Sequence, residues 1–112
     1  MSIIGWLKEK LSNQSKAMSL YQRGMKKARN QDQLGAIDDY TDAIQTPSAP
    51  STVVSMAKLN RALAYVALGD FSKGVDDLTA VLEMDGAPAI VKKMARQKLA
   101  KRRAHNRRSK DR

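Results

Sequence analysis

No cysteine occurs among the 112 residues. That excludes disulfides, thiolate catalysis and any zinc site built on cysteine. A single histidine is present, His105, and it lies among arginines near the C-terminal end. It reads as part of a polar tail, not as a base or a ligand. No run of eighteen apolar residues is present, so no transmembrane span is expected. No secretory signal is expected either, because Lys8, Glu9 and Lys10 interrupt the apolar start at Ile3, Ile4, Trp6 and Leu7. Aromatic residues make up only 4%, and none interleaves the basic C-terminal run, which argues against sequence reading by base stacking. Phosphate loops and dinucleotide fingerprints are missing. The adjacent aspartates Asp38-Asp39 and Asp76-Asp77 diverge by about 100° on a helix, which makes them poor catalytic pairs. The reading is a non-enzymatic, cytoplasmic chain with no catalytic residues, no metal and no cofactor, with attachment to a membrane surface left open.

What the chain does contain is unevenly distributed charge. Residues 1–91 carry ten Lys or Arg against ten Asp or Glu. Residues 92–112 carry eleven Lys or Arg against Asp111 alone, so the whole net charge of +10 lies in the last fifth. Those cations are Lys92, Lys93, Arg96, Lys98, Lys101, Arg102, Arg103, Arg107, Arg108, Lys110 and Arg112.

The rest of the chain is helical in pattern. In residues 55–88, Met56, Leu59, Leu63, Val66 and Ala67 recur mainly at three- and four-residue spacing. After Leu68-Gly69-Asp70, Phe71, Val75, Leu78, Val81 and Leu82 do the same, which predicts an antiparallel helical hairpin. A second copy lies 38 residues upstream. There Gly24 matches Ala62, Ala36 matches Gly74, Tyr40 matches Leu78, and Ala43-Ile44 matches Val81-Leu82. Gly74 costs about 1 kcal/mol in a helix relative to alanine, and close approach of another helix is one reason to place it there.

The expected order is as follows. Residues 1–14 form a short amphipathic segment with Ile3, Ile4, Leu7 and Leu11 on one face, and Ser12 to Ser15 form a connector. A helical domain spans 15–103, with repeat one at 17–46, repeat two at 55–88 and a last helix at 89–103. Repeat one buries Leu34, Ala36, Ile37, Tyr40, Ala43 and Ile44, with Asp38, Asp39 and Asp42 as an acidic outer strip that Asp76 and Asp77 repeat. The last helix turns Ile90, Val91, Met94, Ala95 and Leu99 inward. Pro47 and Pro50 end the preceding helix, and an enlarged connector at 46–51 absorbs the four residues by which 38 exceeds a 34-residue period. Residues 104–112 form a flexible basic tail.

In register, Ala62, Tyr65, Gly69, Asp70, Phe71, Gly74, Leu78 and the ending Val81-Leu82-Glu83-Met84-Asp85 resemble the tetratricopeptide repeat (TPR). The resemblance implies an all-α fold of two TPR-like antiparallel helical hairpins stacked as a short right-handed solenoid, plus a capping helix. It also implies a concave groove lined by the first helix of each hairpin. Carried over residue by residue, the groove set is Met18, Tyr21, Gln22, Met25, Met56, Leu59, Asn60 and Leu63, with Lys93 and Gln97 from the last helix. Tyr21 and Leu59 stand where carboxylate-binding members carry polar or basic groups, so a carboxylate clamp is not implied. A methionine-rich groove suits an irregular or helical partner. The same side chains could equally be covered by the N-terminal segment or by dimerisation.

Two functions are expected from these features. One is a protein-interaction adaptor or assembly factor that takes a helical or acidic segment of a partner. The other is an RNA- or ribosome-associated protein anchored by the basic end, since phosphates attract such charge irrespective of sequence. Weak contact with anionic lipid and homodimerisation remain open.

Overall fold

The computed structural model describes residues 2–110. It contains five helices: α1 (Ile3–Arg29), α2 (Gln33–Gln45), α3 (Ser51–Ala67), α4 (Phe71–Glu83) and α5 (Ala89–Lys110). Each packs mainly on its neighbours in sequence, with lesser contacts of α1 on α3 and α3 on α5.

The two hairpin turns are built alike. α1 ends with Gln31 at φ 66° and α3 with Gly69 at φ 84°, both left-handed. In the first turn, the Gln31 N–H donates to the Ala28 carbonyl and the Asp32 N–H to that of Lys27. In the second, Gly69 donates to Val66 and Asp70 to Tyr65, so both ends carry the same Schellman-type cap. Asp32 and Asp70 then start the following helices: their carboxylates accept the N–H of Gly35 at 2.9 Å and of Lys73 at 3.2 Å.

The connectors between hairpins also repeat. Residues 46–50 and 84–88 are equal in length, and each ends in a proline whose carbonyl opens the next helix, Pro50 to Val54 and Pro88 to Lys92. The 38-residue period is therefore carried by both connectors and not by an enlargement of the first alone. α5 takes the place of α3 one period later, with Val91 and Ala95 buried like Val53 and Ala57.

Within each hairpin the helices cross at a glycine–alanine pair. A Cβ on Gly24 would come within 2.8 Å of the Tyr40 ring and 3.3 Å of the Ala36 carbonyl. One on Gly74 would meet Val66 at 2.9 Å and the Ala62 carbonyl at 3.2 Å. The glycine is on the first helix of one hairpin and on the second helix of the other, so one Cβ is missing from each crossing.

The core has two parts. Ala17, Tyr21, Ala36, Tyr40, Ala43, Val53 and Ala57 form the first, with the Tyr21 and Tyr40 rings 5.9 Å apart. Leu59, Ala62, Leu78, Val81, Val91, Ala95 and Leu99 form the second, and Met56 packs against both.

Several expectations need correction. α1 continues through Ser12 to Ser15 without a connector, because nothing in that stretch breaks a helix and Ser2 already supplies the cap by accepting the Gly5 N–H. α5 continues beyond residue 103 to Lys110, so the expected flexible tail is helical as far as it is described; Asp111 and Arg112 lie outside the described residues. Leu34 is 69% exposed, being in the first turn of α2 on the side away from α1 and α3. Ile90 and Met94 are exposed because α4 covers only the α5 face carrying Val91, Ala95 and Leu99.

Candidate interaction surfaces

Asp39 and Asp77 are not part of an acidic outer strip. Asp39 is 2% exposed and receives a fork from Arg23, Nε to Oδ2 at 3.0 Å and Nη2 to Oδ1 at 2.8 Å, with the Lys27 ammonium at 3.0 Å. Asp77 is buried and receives the same fork from Arg61 at 2.8 and 2.7 Å. Arg61 also donates to the Thr41 hydroxyl at 3.0 Å and so ties the two hairpins together. The Arg23 hydrogen bond holds the Asp39 carboxyl below the usual carboxylate range. The Asp77 hydrogen bond raises the Arg61 guanidinium further. Asp38, Asp42 and Asp76 remain exposed. Asp39 and Asp77 belong to the scaffold: the 100° step between neighbours on a helix turns one of each adjacent pair inward, where an arginine sixteen residues earlier on the preceding helix meets it.

The residues expected in one groove are divided. Tyr21, at 8% exposure, and Leu59, at 4%, belong to the core and are closed to a partner. Asn60 is half-buried, donating to the Tyr21 hydroxyl at 3.1 Å and to the Met56 carbonyl at 2.9 Å. Met18, Met25 and Met56 are half-buried, whereas Gln22, Lys93 and Gln97 are exposed. Burial pushes the Tyr21 hydroxyl up, less the effect of the Asn60 hydrogen bond, and pushes Tyr40 up to about 12.

Two clefts bring some of them together, and they are related by the same 38-residue shift. The first lies where α3 meets the α1–α2 turn; Met25, Ala28, Arg29, Tyr40 and Asn60 line it. The second lies where α5 meets the α3–α4 turn and encloses about 290 Å³, lined by Leu63, Val66, Phe71, Val75, Leu78, Lys98, Lys101, Arg102 and His105. Leu63, Val66, Leu78 and Lys98 occupy the places that Met25, Ala28, Tyr40 and Asn60 hold above. The junctions differ in the wall, where Phe71 and Val75 stand for Gln33 and Ile37, and in the incoming helix. α3 presents Leu63 and the buried Ala64, where α5 presents Lys101 and Arg102. Arg102 cannot tuck in as Ala64 does, and its guanidinium lies 3.7 Å from the centroid of the Phe71 ring. Phe71 and Val75 are left part-open. Hydrophobic spacing marked these residues only as core; the signal for the cleft was the internal repeat read through to α5.

Two further surfaces are open. The first third of α1 projects beyond the stack, with Ile3, Ile4, Trp6, Leu7 and Leu11 all exposed and Lys10 lying 5.2 Å over the Trp6 ring. The basic residues of α5 are spread around the helix: Lys92, Lys98 and Arg102 are half-buried, whereas Lys93, Arg96, Lys101, Arg103, Arg107 and Arg108 are exposed. The side chain of Lys110 lies outside the described residues. Among those residues no helix is long and apolar enough to cross a membrane. No group of three or more histidine and acidic side chains is placed to hold a metal among them.

The chain matches no protein-family model, no curated protein and no solved structure.

Proposed function

We propose that this chain is a TPR-like, right-handed stack of two hairpins and a half, and that it acts as a non-enzymatic adaptor or assembly factor. The supporting observation is the division of labour along the repeat. Its charged and small residues are spent on scaffold: forked ion pairs at Asp39 and Asp77 and glycine–alanine crossings. Besides the exposed Asp38, Asp42 and Asp76, what is left open is largely apolar or basic, on α1, α3 and α5 and on the Phe71–Val75 turn of α4. Surfaces of that kind serve association, with apolar anchors providing affinity and charge providing orientation.

A second reading is favoured by the cations of α5. Helical continuation to Lys110 fixes basic side chains around its circumference, which suits a phosphate backbone approached from several sides. In that case the chain is RNA- or ribosome-associated. Attachment to anionic lipid and self-association through α1 are weaker alternatives.

A matched pull-down from host lysate, with and without nuclease, tests both. A discrete protein retained after nuclease, and lost when Met18, Met25 and Met56 are made polar, is the adaptor outcome. RNA and ribosomal proteins that disappear with nuclease, and whose binding falls with log salt at a slope of about −4 for six phosphate contacts, are the other.

A further inference from the structure

We infer that the cleft between α5 and the α3–α4 turn is a docking site for an acidic segment of a partner protein, one that presents a bulky apolar side chain flanked by carboxylates. The inference rests on the interaction-module reading and specifies its site and partner chemistry.

The repeat supplies the comparison. At the first junction the incoming helix brings Asn60, Leu63 and Ala64; at the second it brings Lys98, Lys101 and Arg102. All three changes introduce a cation at the cleft, and the third lays a guanidinium on the Phe71 ring. Beside the cations the cleft wall is apolar, formed by the part-open Leu63, Val66 and Val75 and the buried Leu78. Among the described residues no carboxylate lines the cleft. Its volume of about 290 Å³ lies just below the usual range for ligand pockets, about 300–1,000 Å³.

The geometry also selects among anionic occupants. A bilayer meets a protruding apolar ridge, whereas these apolar groups line a cleft together with three cations. A nucleic-acid backbone offers phosphate but nothing to cover the aliphatic floor, and the Phe71 face on which a base might stack is taken by Arg102. An acidic peptide with an apolar anchor satisfies both layers at once.

The test selects a random displayed peptide library against the immobilised full chain and titrates the winners into isotopically labelled protein. The expected result is a consensus of one or two bulky apolar residues flanked by Asp or Glu. Resonances of Leu63, Val66, Val75 and Arg102 should shift, and affinity should fall about tenfold or more in K98E/K101E and in V75S. Lys8→Glu on the projecting part of α1 should leave affinity unchanged, and circular dichroism should show all variants folded. The proposal is overturned by any of four results: no enrichment, a consensus lacking acidic or apolar residues, shifts centred on Met25 and Tyr40, or tighter occupancy of the same residues by oleate or a single-stranded oligoribonucleotide. A lysate protein that survives K98E/K101E but not loss of the methionines would remove the cleft and keep the adaptor reading. Selected peptides seated in the cleft, with no protein retained from lysate, would remove the adaptor reading instead.

Discussion

Arg61 grips Asp77 through the same two-pronged contact that Arg23 makes with Asp39 one repeat earlier, yet the two pairs differ in what surrounds them. The Arg61 side chain is mostly buried, and among the described residues its carboxylate has no second cation. Arg23 is largely open to solvent, and Lys27 shares its carboxylate. Removing Arg61 leaves Asp77 buried and unpaired, a change that costs on the order of 3 kcal/mol. Arg61→Ala should therefore destabilise the chain strongly in urea, and Arg23→Ala should do so less, because Lys27 remains. Equal losses would mean that the second cation contributes nothing.

The same pairing sets an acid dependence. The native Asp39 carboxyl is held below its ordinary value, so its contribution is intact above the unfolded value of about 3.9 and is lost as pH falls below that toward the native value. The stability gap between the wild type and Asp39→Asn should be constant from neutral pH to about pH 5 and shrink below about pH 4. Unfolding curves at several pH values measure it directly.

Tyr40 works in the opposite direction. Burial raises its hydroxyl to about 12, so the neutral ring contributes fully below the unfolded value of about 10 and the contribution is lost as pH rises from there to the native value. Tyr40→Phe should leave stability at pH 7 little changed and should soften the alkaline loss between about pH 10 and 12. Absorbance titration of the phenols provides an independent check.

Two backbone positions should respond with opposite signs. Gly24→Ala gains about 1 kcal/mol of helix propensity, but the new methyl meets the buried Tyr40 ring and forces repacking worth about 1–3 kcal/mol, so a net loss is expected. Gln31 holds a left-handed conformation that costs a non-glycine residue about 1 kcal/mol or more. Gln31→Gly should raise the melting temperature by several degrees, about 4–8 °C per kcal/mol in a domain of this size. Gly69, at the equivalent place, already has the benefit.

These residues also show what the sequence could reveal. Helical period and turn chemistry placed α2 and both hairpin turns, because Pro47, Pro50, Asp32 and Asp70 act locally. The connector expected at Ser12 to Ser15 does not exist, because Ser and Asn are permitted within a helix as well as at its caps. Asp39 and Asp77 were read as solvent-facing because a carboxylate is burial-averse unless paired, and their partners lie sixteen residues earlier on another helix. The cleft was hidden for a related reason: Phe71 and Val75 have core spacing, and only the side chain brought by α5 decides whether they are covered.

That decision can be reversed by putting the first junction's residues into the second. K101L/R102A gives α5 the Leu-Ala pair that α3 carries at Leu63 and Ala64. It removes the Arg102–Phe71 stack, worth about 0.5–1 kcal/mol at a part-open site. In exchange Leu63, Val66, Phe71 and Val75 can be covered, and burial contributes roughly 25 cal/mol for each Å² of apolar surface removed from water. Covering about 80 Å² would contribute about 2 kcal/mol, so the variant should be more stable than the wild type and should bury Phe71, read as slowed amide exchange at the start of α4. Unchanged stability with Phe71 still open would show that α5 is held away by its backbone course, and that Arg102 occupies the cleft without propping it.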